Sequence, residues 1–133
     1  MVLLLQTARS VENRLEAVLE EVGLSGPKYA ALSKLVEGPL SLGELASKLT
    51  CVRSNVTQLV DRLEIDKLAH RVNDPHDRRS IKAQITAAGR ERHAQGASRV
   101  KKLQMELADF LGRVDVARVS EVLTRLAQTH PMG

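Results

Sequence analysis

Residues 74–92 read DPHDRRSIKAQITAAGRER. Charge crowds around Asp74-Pro75, apolar and polar residues alternate from Ser80 to Ile85, and the pattern turns helical behind Thr86. Asp-Pro marks a turn, alternation at period two marks a strand, and a Thr ahead of small and charged residues marks a helix N-cap. Set against Leu68–Val72, the Ser80–Ile85 segment predicts an antiparallel hairpin with Arg78 and Arg79 at its tip. Behind it, TAAGRERHAQGASRVKKLQMELADFLG (86–112) reads as one long helix.

Working back from the hairpin, Arg53 to about Ile65 reads as a helix with Val56, Leu59, Val60 and Leu63 inward. Its other face carries Arg53, Ser54, Asn55, Thr57, Gln58, Asp61 and Arg62. A short helix precedes it, opened by the capping box Ser41-Leu42-Gly43-Glu44 and expected to bury Leu45, Ala46 and Leu49. Before that, Ser25-Gly26-Pro27 opens a helix bearing Tyr29, Leu32, Leu35 and Val36, which ends at Gly38-Pro39. Residues 2–22 form a first helix closed by Gly23, and a last helix spans about Asp115 to Gln128, with Val119, Val122, Leu123 and Leu126 on its inner face.

Helix, tight turn, helix, hairpin is the order of a winged helix-turn-helix. The fold class is mostly α with a small β-wing. A short helix braces a second one whose polar face projects, and the major groove of B-DNA is wide enough to admit it. Asn, Gln and Arg can each make two hydrogen bonds to a base edge.

Three stretches, LSLGELASKL (40–49), SNVTQLVDRLE (54–64) and DPHDRRSIKAQITAAGRE (74–91), resemble the MarR family of transcriptional regulators. The resemblance covers about residues 28–93. It implies a dimeric, sequence-specific double-stranded-DNA-binding regulator, a repressor relieved by a small ligand or stress signal. The expected DNA-binding residues are Arg53, Ser54, Asn55, Thr57, Gln58, Arg62, Arg78 and Arg79, with recognition helix 53–65 and wing 68–85. Arg79 is favoured for the minor groove, and Asp77 supports the wing by orienting an arginine. Arg71 and Lys82 either hold phosphates or are plain surface charges. A candidate ligand pocket is lined by Tyr29, Leu32, Leu63 and His70. The chain departs from the pattern at Thr50, Val52 and Lys67. Val52 stands where a capping Ser is usual, and Lys67 stands where a Gly often makes a left-handed turn. Alternative functions are a winged-helix protein-interaction module and a non-specific DNA binder.

The chain ends carry their own signal. Leu4, Ala8, Val11, Leu15, Val18 and Val22 recur at spacings of four and three, widened by Leu3, Leu5 and Leu19. Val100, Leu103, Leu107, Phe110 and Val114 do likewise. A winged helix needs neither stripe as core. Segments 1–27 and 95–133 are therefore expected to be dimerisation helices flanking the DNA-binding lobe 28–93, and the dimer would read a pseudo-palindromic operator. An intramolecular bundle would bury the same stripes in a monomer.

The chain has 133 residues and a net charge of +4. Residues 53–102 hold twelve Lys/Arg against six Asp/Glu, and the rest hold eight against ten. A basic centre fits a nucleic-acid footprint or an ordinary solvated face. Cys51 is the only cysteine, and the apolar start MVLLLQ is too short for a secretory leader, so the expected compartment is the cytoplasm, with no membrane partner. Cys51 itself reads as a small buried hydrophobe. His70, His76, His93 and His130 lack metal spacing, so no metal or cofactor is expected. No phosphate loop, nucleophile elbow or triad is present, which argues against an enzyme.

Overall fold

The computed structural model describes residues 1–49, 56–112 and 116–128, without the side chains of Arg78, Phe110, Leu111 and Val116. Thr50, Cys51, Val52, Arg53, Ser54, Asn55 and Val114 lie outside the described residues, and with them the expectations about the turn, its cap and its thiol. The elements are α1 (Val2–Glu20), α2 (Gly26–Leu35), β1 (Leu40–Ser41), α3 (Leu42–Lys48), α4 (Val56–Ile65), β2 (Ala69–Asp74), β3 (Asp77–Ile85), α5 (Ala87–Leu111) and α6 (Val116–Gln128). They divide into two compact units, Met1–Val100 and Lys101–Gly133, and α5 runs through the boundary.

Local chemistry sets the ends of these elements. Gly23, at φ 73°, reverses the chain after α1, so that Leu24 N–H donates to the Leu19 carbonyl (2.9 Å) and Gly23 N–H to that of Glu20 (2.9 Å). Both leucines are buried, the apolar clasp that accompanies this helix stop. Ser25 caps α2 by accepting from Lys28 N–H (3.3 Å), with Pro27 in the first turn. Ser41 caps α3 by accepting from Glu44 N–H (3.1 Å). Ser41 also ends a two-residue strand that the sequence pattern did not reveal. Leu40 and Ser41 pair with Ala83 and Lys82, giving a three-stranded antiparallel sheet in the order β1-β3-β2.

The hairpin is longer than the alternation predicted. Strand pairing runs from Ala69↔Ile85 through Arg71↔Ala83 to Asn73↔Ile81, and after an irregularity at Asn73/Asp74 it resumes at Asp74↔Asp77. Only Pro75 and His76 form the turn, so the charged residues 77–79 belong to β3. Side-chain hydrogen bonds at both corners replace the apolar pattern as the stabilising signal.

The core of the first unit holds Leu19, Leu24, Leu32, Leu35, Leu45, Leu49, Leu59, Val60, Leu63, Leu68, Ala83 and Ile85. Leu19 is fully buried and Leu15 packs against the same cluster, so the last turns of α1 belong to the lobe's own core. Ala46 is exposed, contrary to expectation, because α3 turns Leu42, Leu45 and the following Leu49 inward. No polar or charged residue is buried among the described residues. In the second unit, Val119, Val122, Leu123 and Leu126 of α6 lie along one face, and that face is open in the single chain.

At the end of α4, Lys67 adopts φ 62°, the left-handed conformation expected where a glycine is usual. Leu68 N–H donates to the Leu63 carbonyl (2.8 Å) and Lys67 N–H to that of Glu64 (2.9 Å). Thr86 then closes the junction: its N–H donates to the Leu68 carbonyl (3.0 Å) and its hydroxyl to that of Lys67 (2.7 Å). The same hydroxyl accepts from Gly89 N–H (2.9 Å), capping α5. A Cβ on Gly89 would stand 2.0 Å from the Leu68 carbonyl oxygen.

Two substitutions are expected to act with opposite signs. Lys67→Gly removes the left-handed penalty and should stabilise the fold by about 0.5–1 kcal/mol, after the extra chain entropy of glycine is subtracted. Gly89→Ala, which on an open helix face would help, should destabilise by about 1–3 kcal/mol because backbone has to move. Urea denaturation of the two variants checks both signs.

Candidate nucleic-acid interface

Helix α4 buries Leu59, Val60 and Leu63 and turns Thr57, Gln58, Asp61 and Arg62 outward. The sheet sits beside it. Ala69, Arg71 and Asn73 share one face of β2 with their partners Ile85, Ala83 and Ile81 on β3, while His70, Val72, Lys82 and Gln84 lie on the other.

Arg71 extends from the shared face onto α4. Its guanidinium Nη2 pairs with Asp61 Oδ1 (2.8 Å) and its Nη1 with Glu64 Oε1. Nη2 also donates to the Thr57 carbonyl (3.4 Å), and the Arg71 backbone N–H donates to Glu64 Oε2 (3.2 Å). Burial acts to lower the Arg71 pKa, but hydrogen bonds and charge from Asp61 and Glu64 together raise it above the ordinary arginine value. From sequence Arg71 reads as a phosphate ligand or a solvated charge; in the structure two carboxylates of the neighbouring helix hold it. Lys82 is similarly turned toward Asp74 (3.5 Å).

Asx-type bonds hold the tip. Asp74 Oδ1 accepts from His76 N–H (2.9 Å) and Asp77 Oδ1 from Arg79 N–H (3.0 Å). The His76 N–H, foremost, and the Lys82 charge hold the Asp74 carboxyl below its usual range. Asp77 contacts the backbone of Arg79, so it shapes the strand that presents the arginine. The Arg79 side chain is exposed.

The four residues expected to line a ligand pocket are not brought together as one. Leu32 and Leu63 have no accessible surface and belong to the core, because α2 and α4 close on each other there. His70 is exposed on the other face of the wing, paired with Gln84. Tyr29 is half-buried and stacks on His93 of α5 (ring centroids 5.2 Å, interplanar 14°). The His93 Nε2 lies 3.0 Å from Ser33 Oγ, which donates to the Tyr29 carbonyl. Gly96, one turn on, leaves the room the Tyr29 ring occupies: a Cβ there would meet its Cδ2 at 3.0 Å. Sequence spacing gave no sign of the Ser33–His93 contact, since its partners lie sixty residues apart.

A helix with a polar outer face, clamped to an arginine-bearing hairpin and braced by a capped short helix, defines a winged helix-turn-helix protein. The sequence pattern of the MarR family matches residues 24–81. The transcriptional activatory protein BadR of Rhodopseudomonas palustris is 30% identical over 124 residues, 90% of this chain and 70% of BadR. The uncharacterized HTH-type transcriptional regulator YsmB of Bacillus subtilis is 30% identical over 83 residues, 62% of this chain. The chain spans little more than half of YsmB (57%) and 47% of YkoM, a second regulator of that organism. Among solved structures, the transcriptional repressor CouR bound to a 23-mer DNA duplex superposes with a TM-score of 0.84 at 26% identity, covering 94% of this chain and 89% of that one. The chain belongs to the MarR family.

Burial lowers the His93 pKa, so the unfolded chain takes up a proton at higher pH than the folded one. Stability from this site is therefore fully present above the unfolded value near 6.5 and is lost as pH falls through the lower folded value. His93→Gln should flatten the dependence of Tm on pH below about 6.5. A wild-type Tm that rises on acidification through this window would show the opposite sign.

Proposed function

We propose that this protein is a homodimeric, sequence-specific double-stranded-DNA-binding transcriptional regulator of the cytoplasm, with no catalytic role. The observation that carries this is the Arg71–Asp61 pair, which ties the wing to the outward face of α4 and leaves Arg79 exposed further along the same hairpin. Thr57, Gln58 and Arg62, with Arg53, Ser54 and Asn55 preceding them in sequence, would read and grip the major groove. Arg78 or Arg79 would enter the minor groove, where narrow A·T-rich DNA concentrates negative potential. The likeness to CouR, solved on a DNA duplex, supports DNA binding, and the activatory and repressor names among the relatives allow either sign of regulation. Repression follows wherever the operator overlaps a promoter, and a small ligand or stress signal would relieve it.

Dimerisation is supported by apolar surface that one chain leaves open. Leu4 and Val11 on α1 are 47% and 38% exposed, and Val122 and Leu126 on α6 are 51% and 52% exposed. Segments 1–27 and 95–133 would cover these faces with a second copy. Two recognition helices would then stand about one DNA turn apart, ~34–36 Å, over a pseudo-palindrome.

Fluorescence anisotropy on the DNA upstream of the protein's own gene, against scrambled DNA at two salt concentrations, tests this. Binding should be operator-selective, saturate at two protomers per site and weaken steeply with salt. Arg79→Ala should lower operator affinity about tenfold. Gln58→Ala should relax discrimination at one base position by about 1–3 kcal/mol. Equal weak binding to both DNAs would overturn sequence-specific recognition.

A further inference from the structure

We propose that Arg71 is a positioning residue for DNA binding: from β2 it clamps Asp61 and Glu64 of α4, fixing the wing's angle to the recognition helix and masking two carboxylates on that helix. This rests on the DNA-binding function proposed above. Three observations carry it. The guanidinium engages both carboxylates and the Thr57 carbonyl, while the Arg71 backbone N–H takes the second oxygen of Glu64, so side chain and main chain grip one helix. Arg71 pairs with Ala83, which is fully buried, so the clamp acts at the rigid base of the hairpin and not at its tip. The tip begins three residues further on, about 10 Å of strand, so a tilt at Arg71 displaces Arg79 through a lever.

The masking matters separately. Asp61 is half-exposed on the face that carries Gln58 and Arg62. Unpaired, it would meet DNA phosphate with like charge.

The rival role for Arg71 is that of a phosphate ligand, and the two roles predict opposite signs. The double variant Asp61→Asn/Glu64→Gln makes the protein more positive by two charges. A clamp predicts that operator affinity falls about tenfold while binding to scrambled DNA holds or rises. It also predicts that adding Arg71→Ala causes no further loss. Arg71→Lys should not restore binding, because an ammonium cannot form the two-sided fork. Without DNA, wing amides 72–80 should exchange faster in Arg71→Ala and in the double variant, with Tm measured alongside. A variant that merely unfolded would lose both DNAs in proportion. Tighter operator binding by the double variant, or a salt slope reduced by about one in Arg71→Ala, makes Arg71 a phosphate ligand and overturns this inference alone. A wild type that does not distinguish the two DNAs overturns the proposed function and the DNA role of Arg71 with it.

Discussion

The carbonyls of Lys67 and Leu68 receive the hydroxyl and the N–H of Thr86, and the rest of the lobe hangs on that exchange. Within two residues it joins the end of α4, the base of the wing and the start of α5. Each partner would otherwise hold an unsatisfied backbone group at a helix end. Lys67 has to turn left-handed to aim the two carbonyls, and Gly89 has to lack a side chain to let α5 come down on them. Because α4 ends where β2 begins, the register of β2 against β3 is set at this point. That register decides which residues face α4, and so places Arg71 over its two carboxylates.

Charge is distributed to match. Every carboxylate of α4 and its C-terminal turn has a cation: Asp61 and Glu64 share Arg71, and Asp66 pairs with Lys28 of α2 at 2.7 Å. On the wing, Asp74 is matched by Lys82 and Asp77 is spent on a backbone N–H. Such pairs at partly exposed sites contribute little to stability, about 0–1 kcal/mol each. Their larger effect is on the local potential. Asp74 is paired with Lys82 and Asp77 is held on the Arg79 N–H, while the Arg79 side chain stays exposed on β3 beside the turn.

Where local chemistry decides, the sequence was readable. Ser41 and Thr86 cap their helices as their positions predicted, because capping needs only an oxygen at a fixed offset from an N–H. The apolar face of α4 followed from its period, and Lys67 was recognisable as the unusual turn residue. Tertiary geometry was not legible in the same way. Two residues of β1 are too few to show a period. Leu32 and Leu63 carry the same apolar signal whether they line a cavity or fill a core, and only the close approach of α2 and α4 makes them core. Arg71 reads as a free cation because nothing in sequence marks Glu64, seven residues away, as its partner.

The stripe on α1 shows the same limit and also why the chain is built as it is. It reads as one continuous seam, yet the structure divides it: Leu15, Leu19 and Val22 serve the lobe's own core, while Leu4, Ala8 and Val11 remain exposed. One helix thus runs from the core of the lobe to an exposed apolar surface. In the proposed dimer the same helix would carry the position of each lobe into the interface, so the separation of two α4 helices would be set by packing far from the DNA. A ligand or stress signal then would not need to touch the reading residues. Any change in how α1 leaves the core at Leu19 would alter the spacing, and a pseudo-palindrome tolerates little change in spacing because both half-sites are engaged together.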